Sequence, residues 1–469
     1  MFEIVMRHSR RRVLLPPFAL VTGLLLTACA TAPPEVPDRA SVRPAIVQPA
    51  AAPAEPVMHT AQPIHSYEEA AETAFRNNPR LHAAFARYVA GTREVPQASS
   101  LDDPTVMAEQ TESFPGSGDM RENMLVVSQR LPWFGKRALR GELSGAVSRE
   151  LLEEYRTEML DIRRDVAESW YRLAFERADR ALTLEDEALL QGILETTGTL
   201  YETGQADLST LLRAQTELAR LESTLPEFDS QIEVLENELV RLLGARPEYF
   251  QPVLAGPEDV LADLPKPEEL IATAVRNHPE LERYARQEEQ GRLAKRLAGL
   301  DYYPDFTVGI GYAAMGNRPG FSGAPLPDDR TDAWMVSAGI NLPIPNARRR
   351  AAKEQARQQT REAALRLQAR EDEIVEQLYS AAARAGSLRE QLAIIESRVL
   401  PLAEEAAEAA EARYVGGQRT YLDMLDAQRM YVAVQRDLLR VRRDYLLAVA
   451  DLERAAGGPL EMPHTEIFQ

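Results

Sequence analysis

One pattern occurs twice along this chain, and that limits what the chain can fold into. Asn77-Asn78-Pro79-Arg80-Leu81 returns as Asn277-His278-Pro279-Glu280-Leu281, and Pro104 returns as Pro304, both displaced by 200 residues. Leu131-Pro132 returns as Leu342-Pro343, displaced by 211. Tyr201-Glu202-Thr203-Gly204-Gln205 matches Tyr414-Val415-Gly416-Gly417-Gln418, Ala214-Gln215 matches Ala427-Gln428, and Gly244 matches Gly457, all displaced by 213. Matches in this order mark a duplication. The arms are 66–244 and 266–457, joined by a linker at 245–265 and followed by a tail at 458–469. The displacement grows between two predicted strands, so the second arm has the longer loop there, 315–331 against 114–121.

Each arm reads as helix, two strands, long helix, helix. Ser66 and Glu69 have capping-box spacing and start the first helix; its counterpart starts near Pro267, with Glu268 and Glu269 in the first turn. These helices are expected to end near 98 and 299. In the second arm the strands alternate cleanly. Phe306, Val308, Ile310 and Tyr312 share one face against Thr307, Gly309 and Gly311. Trp334, Val336, Ala338, Ile340 and Leu342 alternate with Met335, Ser337, Gly339 and Asn341. One face is apolar and the other small or polar. Two strands per arm cannot form a domain alone.

The helices after the strands are long. No proline interrupts Lys136 to Glu202. The second copy runs from about Pro345 to Tyr414, with a kink expected at Pro401. A last helix follows at 208–243 or 421–456. In the first arm its apolar seam passes through Leu208, Leu211, Leu218, Leu225, Ile232 and Leu239 at nearly coiled-coil period. A helix over 136–202 spans roughly 100 Å, and the two shorter helices of that arm laid end to end span roughly the same. The second arm repeats this match of lengths. A globular domain has no use for a helix of that length; a tube or bundle does.

The start of the chain reads as an export signal. Arg7, Arg10, Arg11 and Arg12 precede an apolar stretch from Val13 to Thr27 that Pro16 and Pro17 interrupt. It is too short for a membrane span, and residues 1–28 read as a signal peptide. Leu26-Thr27-Ala28-Cys29 resembles the lipobox of bacterial lipoproteins, which implies acylation of Cys29 and a lipid anchor, with Ala30 pointing to the outer membrane. A small-residue cleavage site that happens to end near a cysteine is the other reading. Residues 29–65, rich in Pro and Ala, make an extended tether. No later apolar run could span a bilayer as a helix, so any crossing has to be a closed β-barrel.

Composition removes other functions. Cys29 is the only cysteine, so an intrachain disulfide and multi-cysteine metal sites are excluded. A net charge of −18 gives no reason to expect a nucleic-acid partner, whose phosphates call for a surface of Lys and Arg. None of the six histidines pair at ligand spacing, and the methionines form no rich stretch, so no metal site and no cofactor are expected. No phosphate loop or nucleophile elbow occurs, which argues against an enzyme.

These features together resemble the TolC family of outer-membrane factors over nearly the whole chain after the leader. The most specific segment is Tyr414 to Gln428, including Gly416-Gly417-Gln418-Arg419-Thr420-Tyr421-Leu422-Asp423-Met424-Leu425-Asp426. Gln129-Arg130-Leu131-Pro132-Trp133-Phe134-Gly135-Lys136-Arg137 resembles the heavy-metal branch of CusC- and CzcC-like proteins. The resemblance implies a mainly α fold with a small β part. It also implies a homotrimer, whose protomers each give four strands to a twelve-stranded barrel and their helices to a periplasmic tunnel. A periplasmic adaptor, or membrane fusion protein, and an inner-membrane RND pump are the implied partners.

The same resemblance points to site residues. Asp423 and Asp426 match aspartates that line the narrow entrance and attract cations. By sequence alone they also suit a helix N-terminus, with Asp423 three residues after Thr420. The first arm has Thr210 and Arg213 at these places, so only the second arm could supply such rings. Tyr414 and Arg419 match residues that hold the entrance shut; an ordinary tip tyrosine and a solvated arginine are the other reading. Gly204, Gly416 and Gly417 read as turn glycines with positive φ and as the tip an adaptor would grip. Trp133, Phe134, Tyr302, Tyr303, Phe306 and Trp334 fit an aromatic girdle or packing at the strand ends. The function this implies is a passive exit duct of a tripartite efflux system, possible heavy-metal cargo included. Drug efflux, type I secretion and a non-pore coiled-coil lipoprotein scaffold are the alternatives.

Overall fold

The computed structural model describes residues 2–5, 64–112, 121–204, 207–245, 264–315, 333–344, 346–416 and 420–460. Most of the leader and tether, Cys29, both strand loops, most of the linker, Pro345, Gly417, Arg419 and the tail after 460 lie outside these residues. The elements in chain order are β1 (Phe2–Val5), α1 (Tyr67–Asn77), α2 (Pro79–Ser99), β2 (Thr105–Glu112), β3 (Arg121–Leu131), α3 (Lys136–Glu202), α4 (Leu208–Glu222) and α5 (Leu225–Leu242). The second arm contributes α6 (Pro267–Asn277), α7 (Pro279–Leu300), β4 (Phe306–Met315), β5 (Ala333–Ile340), α8 (Ala347–Ile394), α9 (Leu400–Val415) and α10 (Tyr421–Ala456).

Prolines set several boundaries that the sequence reading had merged. The first helix of each arm is two helices, broken at Asn78 and His278, because the residue before a proline is pushed out of the α region. Asn78 has ψ 122 and His278 ψ 124. The helix expected at 208–243 is likewise split. Pro226 cannot donate to the carbonyl of Glu222, and α4 ends at that residue. Its partner α10 has no proline and runs unbroken for 36 residues. At Pro401 the structure has a π-helical turn, Ile395–Val399, which contains Ser397, whose carbonyl the proline cannot serve. In the first arm α3 is continuous over 67 residues.

The chain forms two compact units, each drawn from both arms. The first comprises Met1–Val36, Arg87–Leu151 and Arg283–Leu367. It holds an antiparallel sheet of order β1-β5-β4-β3-β2. Four strands were expected. The fifth, β1, lies in the expected leader and pairs Phe2 with Ala338 and Val5 with Met335 along the outer edge of β5. An unpaired edge offers N–H and C=O groups to any extended segment. Below the sheet Leu139 and Ala146 of α3 pack on Leu293 of α7, and Gly291 lies so close to Thr360 that a Cβ there would sit 2.9 Å from its Cα.

The second unit comprises Pro37–Ala86, Leu152–Glu282 and Gln368–Gln469. Its largest core joins Ala70, Ala74 and Leu81 to Ile162, Val166 and Trp170 of α3 and to Leu239 and Leu242 of α5. Here α3 and α10 run antiparallel in one register. Arg454 meets Asp161 at 2.6 Å, Asp451 meets Arg164 at 3.0 Å, and Arg436 meets Asp179 at 2.7 Å. Each step forward on α3 is matched by an equal step back on α10. These pairs are half-buried, and their matched spacing fixes the register of the two helices.

Candidate functional site

The tip is built where α3 ends, α4 begins, α9 ends and α10 begins. Gly204 closes α3 with φ 72, in the left-handed region that favours glycine. Gly416 does not: its φ is −74, because it continues the α9 helix and donates its N–H to Ala412 O. The expectation of a positive φ there is overturned. Gly417 and Arg419 lie outside the described residues.

Tyr414 is buried in a cluster with Leu190, Ile193, Ala214, Tyr421, Met424 and Leu425. Thr197 donates its hydroxyl hydrogen to Ile193 O at 2.8 Å. The 2.9 Å contact between Thr197 Oγ1 and Tyr414 Oη is therefore donated by the tyrosine. This bond ties the second-arm tip to α3 of the first arm. Beside it, Arg429 pairs with Glu217 at 2.5 Å. The Tyr421 hydroxyl is buried without a hydrogen-bond partner among the described residues; burial, and then the Glu217 charge, push its pKa up.

Asp423 is the N3 residue of a full capping box. Its N–H reaches Thr420 Oγ1 at 3.4 Å, while its Oδ2 accepts from the Thr420 N–H at 3.3 Å and from the Thr420 hydroxyl at 3.0 Å. Asp426 follows one turn on. Both are exposed, whereas Tyr421, Met424 and Leu425 face the core. The cap that Asp423 supplies and the outward placement of Asp426 coexist in one helix start. Thr197, Glu217 and Arg429 carry no sequence signal that would have singled them out. Their roles arise from long-range packing.

The sheet has two unlike faces. Val106, Val127, Ile310 and Val336 form one cross-strand row, and Ala108, Leu125, Tyr312 and Trp334 the next. These rows point away from the protein: Val336 is 65% exposed and Trp334 58%. The opposite face carries Ser128, Gly309 and Ser337 in one row. A Cβ on Gly309 would lie 2.6 Å from Ser337 Oγ, so a side chain at 309 would crowd its cross-strand neighbour. A globular sandwich would bury its apolar rows; here they are the bare ones.

Where the strands meet the helices, Asp305 gathers three donors. Lys136 Nζ and Arg130 Nη2 each lie 2.8 Å from its carboxylate, and the Trp133 N–H donates at 3.0 Å. The Asp305 N–H is held by Asn341 Oδ1. Burial would raise the Asp305 carboxyl, but these bonds outweigh it and pull the group down to about 2. Trp133 stacks on Tyr303 and Phe306 with centroids 5.2 and 5.8 Å away. Trp133 therefore packs at the strand–helix junction, while its neighbour Phe134 is 80% exposed.

Among the described residues no group of three or more His, Cys, Asp or Glu could hold a metal ion, and no helix is long and apolar enough to cross a membrane.

The sequence profile of the family described as outer membrane efflux protein matches residues 70–245 and 270–458. The chain belongs to this family. It is 27% identical over 250 residues to the cobalt-zinc-cadmium resistance protein CzcC of Cupriavidus metallidurans, a match covering 52% of this chain and 55% of that protein. The chain thus spans about half the length of that curated relative. Its fold resembles CusC (TM-score 0.70, 18% identity, 88% of this chain and 99% of the other) and VceC of Vibrio cholerae (TM-score 0.70, 20% identity, 84% and 97%). It also resembles the outer-membrane channel OprN (TM-score 0.70, 19% identity, 84% and 90%). The fold is TolC-like.

Proposed function

We propose that this chain is one protomer of a homotrimeric outer-membrane exit duct, passively conducting substrate for a tripartite efflux system. The observation that carries the reading is the bare apolar face of the sheet, set against an opposite face of small and polar residues. Four strands from one arm pair cannot close; twelve from three copies close around a water-filled lumen, with the apolar rows in lipid. Acylated Cys29 would add an anchor in the same membrane, and a periplasmic adaptor and an inner-membrane RND pump would supply contact and energy. The likeness to CzcC supports heavy-metal cations as cargo. A non-pore scaffold gives no reason for rows such as Val127, Ile310 and Val336 to lie bare.

At the tip, Asp423 and Asp426 would be repeated three times around the axis and so present two rings of carboxylates to passing cations. Tyr414, through Thr197, would hold the second arm's tip against the first and keep the entrance narrow, Arg419 would share in holding it shut, and Gly204, Gly416 and Gly417 would be offered to the adaptor. Purified protein in planar bilayers tests this. The trimer should conduct, multivalent cations should block it, and Asp423→Ala with Asp426→Ala should weaken that block. A protein that never conducts removes the duct; a block unchanged in the double variant removes the aspartates from the gate. A deletion strain more sensitive to divalent metals than to organic drugs would assign the cargo.

A further inference from the structure

The chain carries a net charge of −18, yet between Arg348 and Arg361 it holds six cations against one carboxylate. This run opens α8, directly after the sheet. Two residues of the β5 alternation continue past its last paired residue: Leu342 is 75% exposed and Ile344 69%. The bare apolar surface of the sheet therefore runs on to within a few residues of the cations.

Not all of these cations are available. Arg349 turns inward, its Nη1 donating to Ile344 O at 2.5 Å and its Nε to Asp301 O at 3.0 Å. Arg357 lies 3.8 Å from Glu354. Arg348, Arg350 and Lys353 are exposed, and among the described residues none of them pairs with a carboxylate. The matching start of α3 is different. There Lys136 is buried on Asp305, and Arg137 donates to Ser99 O at 2.9 Å. The duplication thus left internal cations in one arm and outward ones in the other. Ala356, Thr360 and Ala363 mark the side of α8 that faces the protein; Arg348 and Arg350 flank that side, and Lys353, one turn before Ala356, is exposed at its end.

We propose that Arg348, Arg350 and Lys353 dock the phosphates of anionic phospholipid headgroups at the membrane surface where the sheet ends. This rests on the reading of the sheet as membrane-embedded. The headgroup layer beyond the hydrocarbon is about 5–8 Å thick on each side. From Ala347 to Lys353 the helix rises about 9 Å. Arg348 and Arg350 therefore fall in that layer when Leu342 and Ile344 mark the edge of the hydrocarbon, and the long side chain of Lys353 reaches back to its outer edge. Cations near an anionic lipid surface are favoured there, and salt screens the attraction.

The full-length protein, reconstituted in vesicles of phosphatidylcholine alone or with one part in five phosphatidylglycerol, provides the test. Insertion is read by conductance and the retained lipid by mass after detergent extraction. The native protein should insert into both and retain phosphatidylglycerol over phosphatidylcholine at a ratio about tenfold above that of the bulk lipid. Arg348→Gln with Arg350→Gln and Lys353→Gln should insert equally and lose most of that enrichment, and high salt should erase it in the native protein. Insertion without enrichment, or enrichment that the triple variant keeps, overturns the docking patch. A triple variant that falls to monomers also overturns it, since the flank is then a contact between copies. Failure to insert into either vesicle would instead overturn the membrane-embedded sheet.

Discussion

At the scale of single residues, Asn78 and His278 solve one problem with different chemistry. Each stands at a helix break before a proline, caps the helix that follows, and donates to the end of its arm's last helix. Asn78 accepts the Arg80 N–H at 2.8 Å and donates to Leu242 O at 2.7 Å. His278 Nδ1 accepts the Glu280 N–H at 3.2 Å, which leaves Nε2 to donate to Arg454 O at 3.3 Å. Gly244 and Gly457, both left-handed, let the chain pass close by; a Cβ on Gly244 would lie 2.4 Å from Asn77 O. The next pair swaps sign: Arg80 meets Glu158 at 2.9 Å, while Glu280 meets Arg370. Burial lowers the His278 pKa, against Glu280, with Arg370 and Arg454 adding to the lowering. The unfolded chain then binds the proton more readily, so stability should fall as pH drops below about 6.5, the ordinary histidine value. His278→Asn keeps both bonds by the first arm's own solution. Thermal unfolding from pH 8 to pH 5 should show a smaller acid loss in this variant; an unchanged slope would assign the loss to other groups.

At the scale of elements, junctions matter more than the elements they join. Asp305 ties the starts of β4 and α3 and the ends of β3 and β5 through Lys136, Arg130, the Trp133 N–H and Asn341. Removing its charge strands a buried Lys136 without its closest anion. Asp305→Asn should therefore cost about 3 kcal/mol. The native carboxyl sits below its unfolded value, so its contribution is present above pH 4 and lost as pH falls toward 2. Denaturant titration at pH 7 and pH 2.5 checks both statements: the gap between native and variant should close at the lower pH. The phrase from Gln129 to Arg137 was legible as a distinctive strand-to-helix turn. That its lysine would find a carboxylate 169 residues away was not, because nothing local couples the two.

At the scale of the whole molecule, the alternation of the strands determines where the chain can reside. Val336 stands in the middle of the bare face, opposite Ile310. If the bare face lies in lipid as proposed, an arginine there meets hydrocarbon, and Val336→Arg should cost about 2–4 kcal/mol of insertion. Ser337→Arg, on the opposite face, should insert nearly normally. Folding into vesicles, followed by resistance to heat in gel electrophoresis, separates the two; equal losses would mean that the face is not in lipid.

The sequence by itself determined the duplication, the helix-rich arms and the two-faced strands. These are periodic or repeated local patterns, and the family that matches both arms carries the same description. The prolines at 79, 226, 279 and 401 are equally visible, but a proline alone does not say whether a helix breaks, as at Asn78, Glu222 and His278, or absorbs it in a π turn, as before Pro401. Only the tertiary structure decided which side chains at the tip touch. Asp423 caps its helix, Tyr414 donates to Thr197 across 217 positions of sequence, and Gly416 stays helical. It also decided that the two arms are alike in plan and unlike in use, with Lys136 and Arg137 at the start of α3 turned inward and Arg348, Arg350 and Lys353 at the start of α8 left exposed. A repeat in sequence fixes how each arm folds. Which charges end up paired depends on what the other arm brings to them, and that is settled only by packing.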